Sequence, residues 1–332
     1  MQNIRSSSAQ PRLFGWLFGL ILLVFVLSII SLNVGASSMK LLHLFTQPDD
    51  RVTQLLFVSR WPRTLSLILA GAALAVSGLI LQMLARNRLV EPSMVGTVDA
   101  ATFGLLLCSL IAPGMALWLK FSVVTFFAVL GTLLFLAVLR RIPLRSALLV
   151  PLVGLVLAGV MSTGNHLLAH QFELTQALKA WSSGDFSAVL RGRYELLWVA
   201  AGITLFALFL ADRFTVIGMG KDFATNVGVN YQGLLAVGIL LVAMISASVV
   251  VIAGALPFIG LIVPNLIRII SGDNLRRAIP LVALAGSALM LAADLLGRLL
   301  IHPYEIPSAN ILAIAGSLVF LVILLRGRKQ WA

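Results

Sequence analysis

An all-α polytopic membrane protein of about ten transmembrane helices is the fold this sequence predicts. Three observations carry it. Of 332 residues, 60% are hydrophobic and only 11% are charged, with a mean hydropathy of +1.05. A soluble domain keeps roughly 25% Asp, Glu, Lys and Arg to cover its surface, so the solvent of this chain is largely lipid. Uncharged apolar runs suited to a bilayer core recur along the whole length, and short basic clusters fall between them.

The runs place the helices in order. Phe14 to Leu32 comes first; its 19 residues exceed the core of a cleavable signal, so it reads as a retained helix. Thr64 to Ala85, Ala100 to Leu119, Phe121 to Leu139, Ser146 to Asn165 and Leu196 to Ala211 follow. Phe223 to Ile267 is uncharged over 45 residues. One helix of that length would rise about 67 Å, roughly twice the bilayer core. Gly254-Ala255-Leu256-Pro257 breaks it, because proline lacks a backbone donor and clashes with the preceding turn. The run therefore divides into a span near 233–252 and a short one near 256–270. Ala278 to Ala293 and Ile306 to Leu325 complete ten.

With a cytoplasmic N-terminus, 15 of the 24 Lys and Arg fall on the inner side, which favours that orientation and puts both termini inside. The stretches 171–193 and 213–232 read as polar loops. Residues 1–332 form a single transmembrane domain.

The charge excess of +12 lies in inter-span clusters and forms no aromatic-laced basic stripe, which argues against nucleic acid. Cys108 is the single cysteine, so neither a disulfide nor a thiolate metal site is encoded. His166 and His170 share a helix face with Glu173 one turn on. They lack the further convergent ligand a metal needs, and read as a wetted helix end. Gly218-Met219-Gly220-Lys221 lacks the earlier glycine and the hydroxyl of a phosphate loop, Thr215 and Asp222 standing at those places. Asp294 and Arg298, four apart, read as an intrahelical ion pair in preference to a proton relay, since only Asp99 offers a second intramembrane carboxylate. Gly15 and Gly19 match a small-residue packing pattern that arises easily by chance in so apolar a chain. No nucleophile with its base and no paired carboxylates occur, so the pattern encodes no catalytic site.

Two longer segments are more specific. Arg60-Trp61-Pro62-Arg63-Thr64-Leu65, followed by Ala70 to Gly78, resembles the opening of the second helix in the FecCD family. These are permeases of binding-protein-dependent ABC importers for ferric siderophores, haem and vitamin B12. Pro257 to Arg268 resembles the same family's GFIGLIVPHIAR segment, and Gly272-Asp273-Asn274, Ala293-Asp294 with Arg298, and Glu305-Ile306-Pro307 add to it. The sequence departs from the pattern at Asn265 (usually histidine), Pro257 (usually glycine) and Ser308 (usually glycine).

The resemblance implies a type II ABC importer permease architecture, working as a dimer with a second copy or a paralogue. It implies two short cytoplasmic coupling helices at about 216–233 that dock on the ATPase, with Gly218, Gly220, Lys221, Asp222, Asn226 and Gly228 as the coupling residues. It further implies docking of a periplasmic or lipid-anchored binding protein on Arg51, Arg60 and Arg298. A gate is implied near 141–148, with Arg145 and Ser146 as candidates. ATP and Mg²⁺ would belong to the partner ATPase, and no cofactor to this chain. The implied setting is the inner membrane of a bacterium, and the implied cargo a ferric siderophore, with haem or cobalamin as the alternative. An ion-driven secondary transporter is the rival class. The Gly254–Pro257 break suits it, but the scarcity of intramembrane carboxylates does not.

Overall fold

The computed structural model describes residues 9–34, 54, 56–142, 149–272, 274–301 and 304–327. The candidates Arg51, Arg145 and Ser146 lie outside them. Thirteen α-helices are described, and no strand. They are α1 (Ala9–Asn33), α2 (Trp61–Leu84), α3 (Thr97–Ile111), α4 (Leu117–Arg141), α5 (Leu149–Gln171), α6 (Thr175–Ser182) and α7 (Leu197–Phe209). After them come α8 (Ala211–Gly218), α9 (Lys221–Asn226), α10 (Tyr231–Ala253), α11 (Ile259–Ser271), α12 (Leu275–Leu300) and α13 (Ser308–Gly327).

Ten of these elements coincide with the ten apolar runs, which makes that count an approximate description. Six are long and apolar enough to cross a membrane alone; α7 and α8 form a pair bent by 69°; α3, α11 and α13 are shorter apolar helices.

The centre of the bundle is α2, which packs against α7, α10, α11 and α12. Proline in its first turn costs no helical hydrogen bond there. Glycine lets it meet two neighbours backbone to backbone. A Cβ on Gly71 would lie 2.4 Å from the Gly286 carbonyl oxygen of α12, and one on Gly78 would lie 2.2 Å from the Gly260 Cα of α11. Without a hydrophobic drive between helices in lipid, such close crossings supply much of the packing energy. Around Gly15 and Gly19, by contrast, nothing lies within 4 Å among the described residues.

Large apolar side chains on α1, α5 and α13 face outward, among them Phe14, Phe25, Leu155, Val160, Ile314 and Leu318. In water such surface would aggregate; against lipid or a second subunit it is ordinary.

The interval 171–193, expected as a polar loop, folds differently. It forms α6 and then turns inward, burying Phe186 and Val189. There it meets the chain break after α10. Ala255 N–H donates to the Trp181 carbonyl at 2.8 Å, and Asp185 N–H to the Ala253 carbonyl at 2.9 Å. Irregular backbone inside a bilayer must be satisfied by protein, and this segment does it. Gly254 (φ +89°) is required at the turn, since a Cβ would sit 2.3 Å from the Trp181 oxygen.

Candidate functional site

Helix α2 carries a cluster at each end. Its 24 residues span about 36 Å, so one rigid element joins both faces of the bundle.

At its N-terminal end lies a four-charge network. The Arg63 guanidinium donates to Asp294 Oδ1 at 2.8 Å and to Glu305 Oε2 at 2.8 Å. Arg298 forms an ion pair with Asp294 Oδ2 at 2.7 Å, one helical turn apart on α12. The positive and negative charges balance, which suits a group of which Asp294 is only 1% exposed. The intrahelical pair expected of Asp294 and Arg298 is thus present, inside a larger set drawn from three family-like segments. Ser308 Oγ also donates to Asp294 Oδ1, at 3.3 Å, which a glycine there could not do.

Arg298, together with Arg60, also holds the end of α1. Arg298 donates to the Ser31 and Val34 carbonyls at 3.1 and 2.6 Å and to Ser31 Oγ at 2.7 Å, while Arg60 donates to the Leu32 carbonyl at 2.9 Å. The last carbonyls of a helix have no intrahelical donor, and cations there also complement its dipole. This placement bears on one of the docking candidates. Arg298 is 5% exposed and turned inward, not presented on the outer surface that docking requires. Arg60, the other docking candidate among the described residues, is half-buried.

At the C-terminal end of α2 sit α8 and α9, the short helices expected for coupling. The polar interval begins at Ala211, earlier than the expected 216, because the chain bends after α7. Lys221, Asp222, Asn226 and Gly228 are exposed. Gly218 and Gly220 instead face the bundle. A Cβ on Gly218 would lie 2.7 Å from Met83 Sδ, and one on Gly220 would lie 3.2 Å from the Arg86 guanidinium carbon. Gly220 (φ +111°) and Gly228 (φ +81°) occupy backbone conformations that other residues rarely adopt. Asn230 then caps α10 by accepting from Gly233 N–H at 3.0 Å.

Sequence reasoning missed the apolar side of this pair. Met219, Phe223 and Val227 are 57%, 47% and 59% exposed on one short segment. Hydropathy could not flag them, since α9 is too short for an amphipathic period to show. Arg86 and Met83, the seats of the two glycines, were legible only as the end of a span. Beside them a cavity of about 500 Å³ is framed by Arg86, Arg88, Thr215, Gly218, Arg268 and Asn274.

Other singled-out residues are structural here. Asn265 Nδ2 donates to the Arg88 and Leu261 carbonyls, both at 2.8 Å, and Asn274 caps α12 by accepting from Arg277 N–H at 3.2 Å. His166 Nδ1 lies 2.8 Å from the Ser162 carbonyl, and Cys108 is buried. Among the described residues no group of three or more His, Cys, Asp or Glu could hold a metal ion.

Comparison with known proteins agrees with this architecture. The model of the FecCD transport family matches residues 20–326. The chain is 38% identical to the petrobactin import system permease protein YclN of Bacillus subtilis (strain 168), over 94% of this chain and 98% of that one. It is 36% identical to the ferric-anguibactin transport system permease protein FatD of Vibrio anguillarum, over 94% and 99%. Among solved structures, a metal-chelate type ABC transporter in an inward-facing conformation superposes with a TM-score of 0.78 at 30% identity, covering 93% of this chain and 98% of that one. The chain therefore belongs to the FecCD transport family.

Proposed function

We propose that this chain is the membrane-spanning permease of an ABC importer that brings a ferric siderophore across the inner membrane of a bacterium. One observation carries the mechanism: α8 rests on the end of α2, and α8, α9 and the turns beside them present Met219, Phe223 and Val227 outward. Apolar groups on an otherwise polar connector suit a protein partner, and in this reading the partner is the ATPase. The chain itself is a permease subunit and not an enzyme; ATP and Mg²⁺ belong to the partner.

In this reading the α8–α9 end is cytoplasmic, as are both termini, and the four-charge network marks the outer end. A binding protein delivers cargo there, with Arg60 and Arg51 offering guanidinium forks to its carboxylates. The exposed faces of α5 and α13 meet a second permease, identical or paralogous, around a central pathway. The inner gate lies at 141–148, around Arg145 and Ser146. Partners bias two packings of the same helices, and the alternation between them moves the cargo.

The siderophore assignment rests on the petrobactin and anguibactin importers among the relatives. Haem and cobalamin permeases match at lower identity, 30% and 31%. Reconstitution with the cognate ATPase and binding protein tests the reading. Uptake of ⁵⁵Fe-petrobactin that requires both ATP and the binding protein is the expected result. Uptake of haem or cobalamin in its place would reassign the cargo, and uptake driven by an ion gradient alone would overturn the importer reading.

A further inference from the structure

Glu91 lies in the loop 85–96 between α2 and α3, and it is 1% exposed. Neither the outer charge network nor the coupling helices use it. Every described partner of its carboxyl group is a donor. Phe258 N–H donates to Oε1 at 2.7 Å, and Ser93 Oγ–H donates to the same oxygen. The backbone of Gly260 and Leu261 also lies against the carboxyl group, although Leu261 N–H itself donates to the Phe258 carbonyl at 3.1 Å. Oε2 lies 3.4 Å from where a Cβ on Gly260 would stand.

Phe258 N–H stands at the opening of α11. The first amides of a helix have no intrahelical acceptor, and Phe258 at the N-cap has no side chain able to accept. Phe258 also holds a left-handed backbone conformation (φ +68°), so the chain enters α11 through a strained residue right after Pro257. The Phe258 amide, set inside a bilayer on a strained residue, needs an acceptor from elsewhere in the protein. Glu91 supplies it from 167 residues away.

The surroundings make this cap a mechanical connection. Gln82 Nε2 donates to the Gly260 carbonyl at 3.1 Å, so α2 grips the same turn from its other side. The Phe258 side chain packs on α13, where a Cβ on Gly316 would lie 2.3 Å from Phe258 Cβ. A displacement of loop 85–96 is thus felt at the start of α11, and from there at the last helix.

We propose that Glu91 is a positioning residue for transport: its carboxylate caps α11 at the chain break and ties that break, through Phe258, to the α2–α3 loop and to α13. The cap is independent of the importer reading, whereas its part in transport rests on that reading.

Hydrogen exchange read by mass spectrometry on the permease–ATPase complex tests the cap. In Glu91→Gln one carboxyl oxygen becomes an NH₂ group, which cannot accept. The Phe258 amide should then exchange about tenfold or more faster, while those in the middle of α2 keep their rate. Glu91→Asp, one methylene shorter, should give intermediate exchange and serves if the glutamine variant does not assemble. In proteoliposomes the maximal import rate of either variant should fall about fivefold or more, with the half-saturating concentration of loaded binding protein unchanged. Wild-type exchange at the Phe258 amide would overturn the cap. Faster exchange with a wild-type import rate would overturn the positioning role. If the wild-type complex imports nothing, the importer reading falls, and the exchange data still decide the cap.

Discussion

Arg63 and Asp294 stand 231 residues apart in the sequence and 2.8 Å apart in the fold. Around them Arg298 and Glu305 complete a set whose charges balance, so α2, α12 and the approach to α13 are joined at one point. Because Arg298 also holds the carbonyl end of α1, a helix that is otherwise mostly exposed gains its anchor there.

Removing Asp294 would leave Arg298 without a carboxylate in a nearly dry site, and Arg63 with Glu305 alone. Breaking a buried pair in this way costs about 3–5 kcal/mol, so Asp294→Ala should melt far below wild type in detergent. Ser308→Gly removes only a 3.3 Å hydrogen bond and should cost about 1 kcal/mol. Thermal unfolding of both variants checks the ranking. Equal shifts would mean that the network contributes no more than its weakest bond.

The α2–α11 crossing admits no side chain on Gly78. In Gly78→Val the Cβ would meet the Gly260 backbone, where neither helix can give way cheaply. Loss of monodisperse protein on size-exclusion chromatography is the expected outcome. Gly15→Val, with open space around it, should behave as wild type.

Gly228 separates backbone strain from contact, because nothing lies within 4 Å of a Cβ built there. Forcing valine into its left-handed conformation costs roughly 1–2 kcal/mol, confined to the turn after α9. Gly228→Val should insert normally yet lose transport-coupled ATP hydrolysis. Cysteines at Lys221 or Asn226 should crosslink to the ATPase. Full coupling in the variant together with no crosslink at either site would remove the coupling role.

The docking reading distinguishes two arginines that sequence alone treats alike. Arg51→Glu with Arg60→Glu should weaken binding-protein docking and make the remainder less sensitive to salt, since attractive steering is lost. Arg298→Glu should instead lower stability, because the new carboxylate would face Asp294. Arg298→Glu protein that is stable but undocked would return Arg298 to the outer surface.

The sequence by itself determined where the membrane helices run, because the bilayer imposes a length and a polarity that neighbouring residues must meet together. It also located the break at 254–257, since proline and glycine act on the backbone within one turn. The polar interval of α8 and α9 was equally legible, and family-like motifs attached a role to it. Tertiary structure alone decided which charges meet, because Arg63, Asp294, Arg298 and Glu305 come together only through the packing of α2 against α12. It turned Arg298 inward, buried Phe186 and Val189 while Trp181 and Asp185 satisfied the open backbone after α10, and set Glu91 against the Phe258 amide at the start of α11. Hydropathy and backbone preference are properties of adjacent residues. Ion pairs, glycine crossings and a cap supplied from another loop depend on distances that no local pattern encodes.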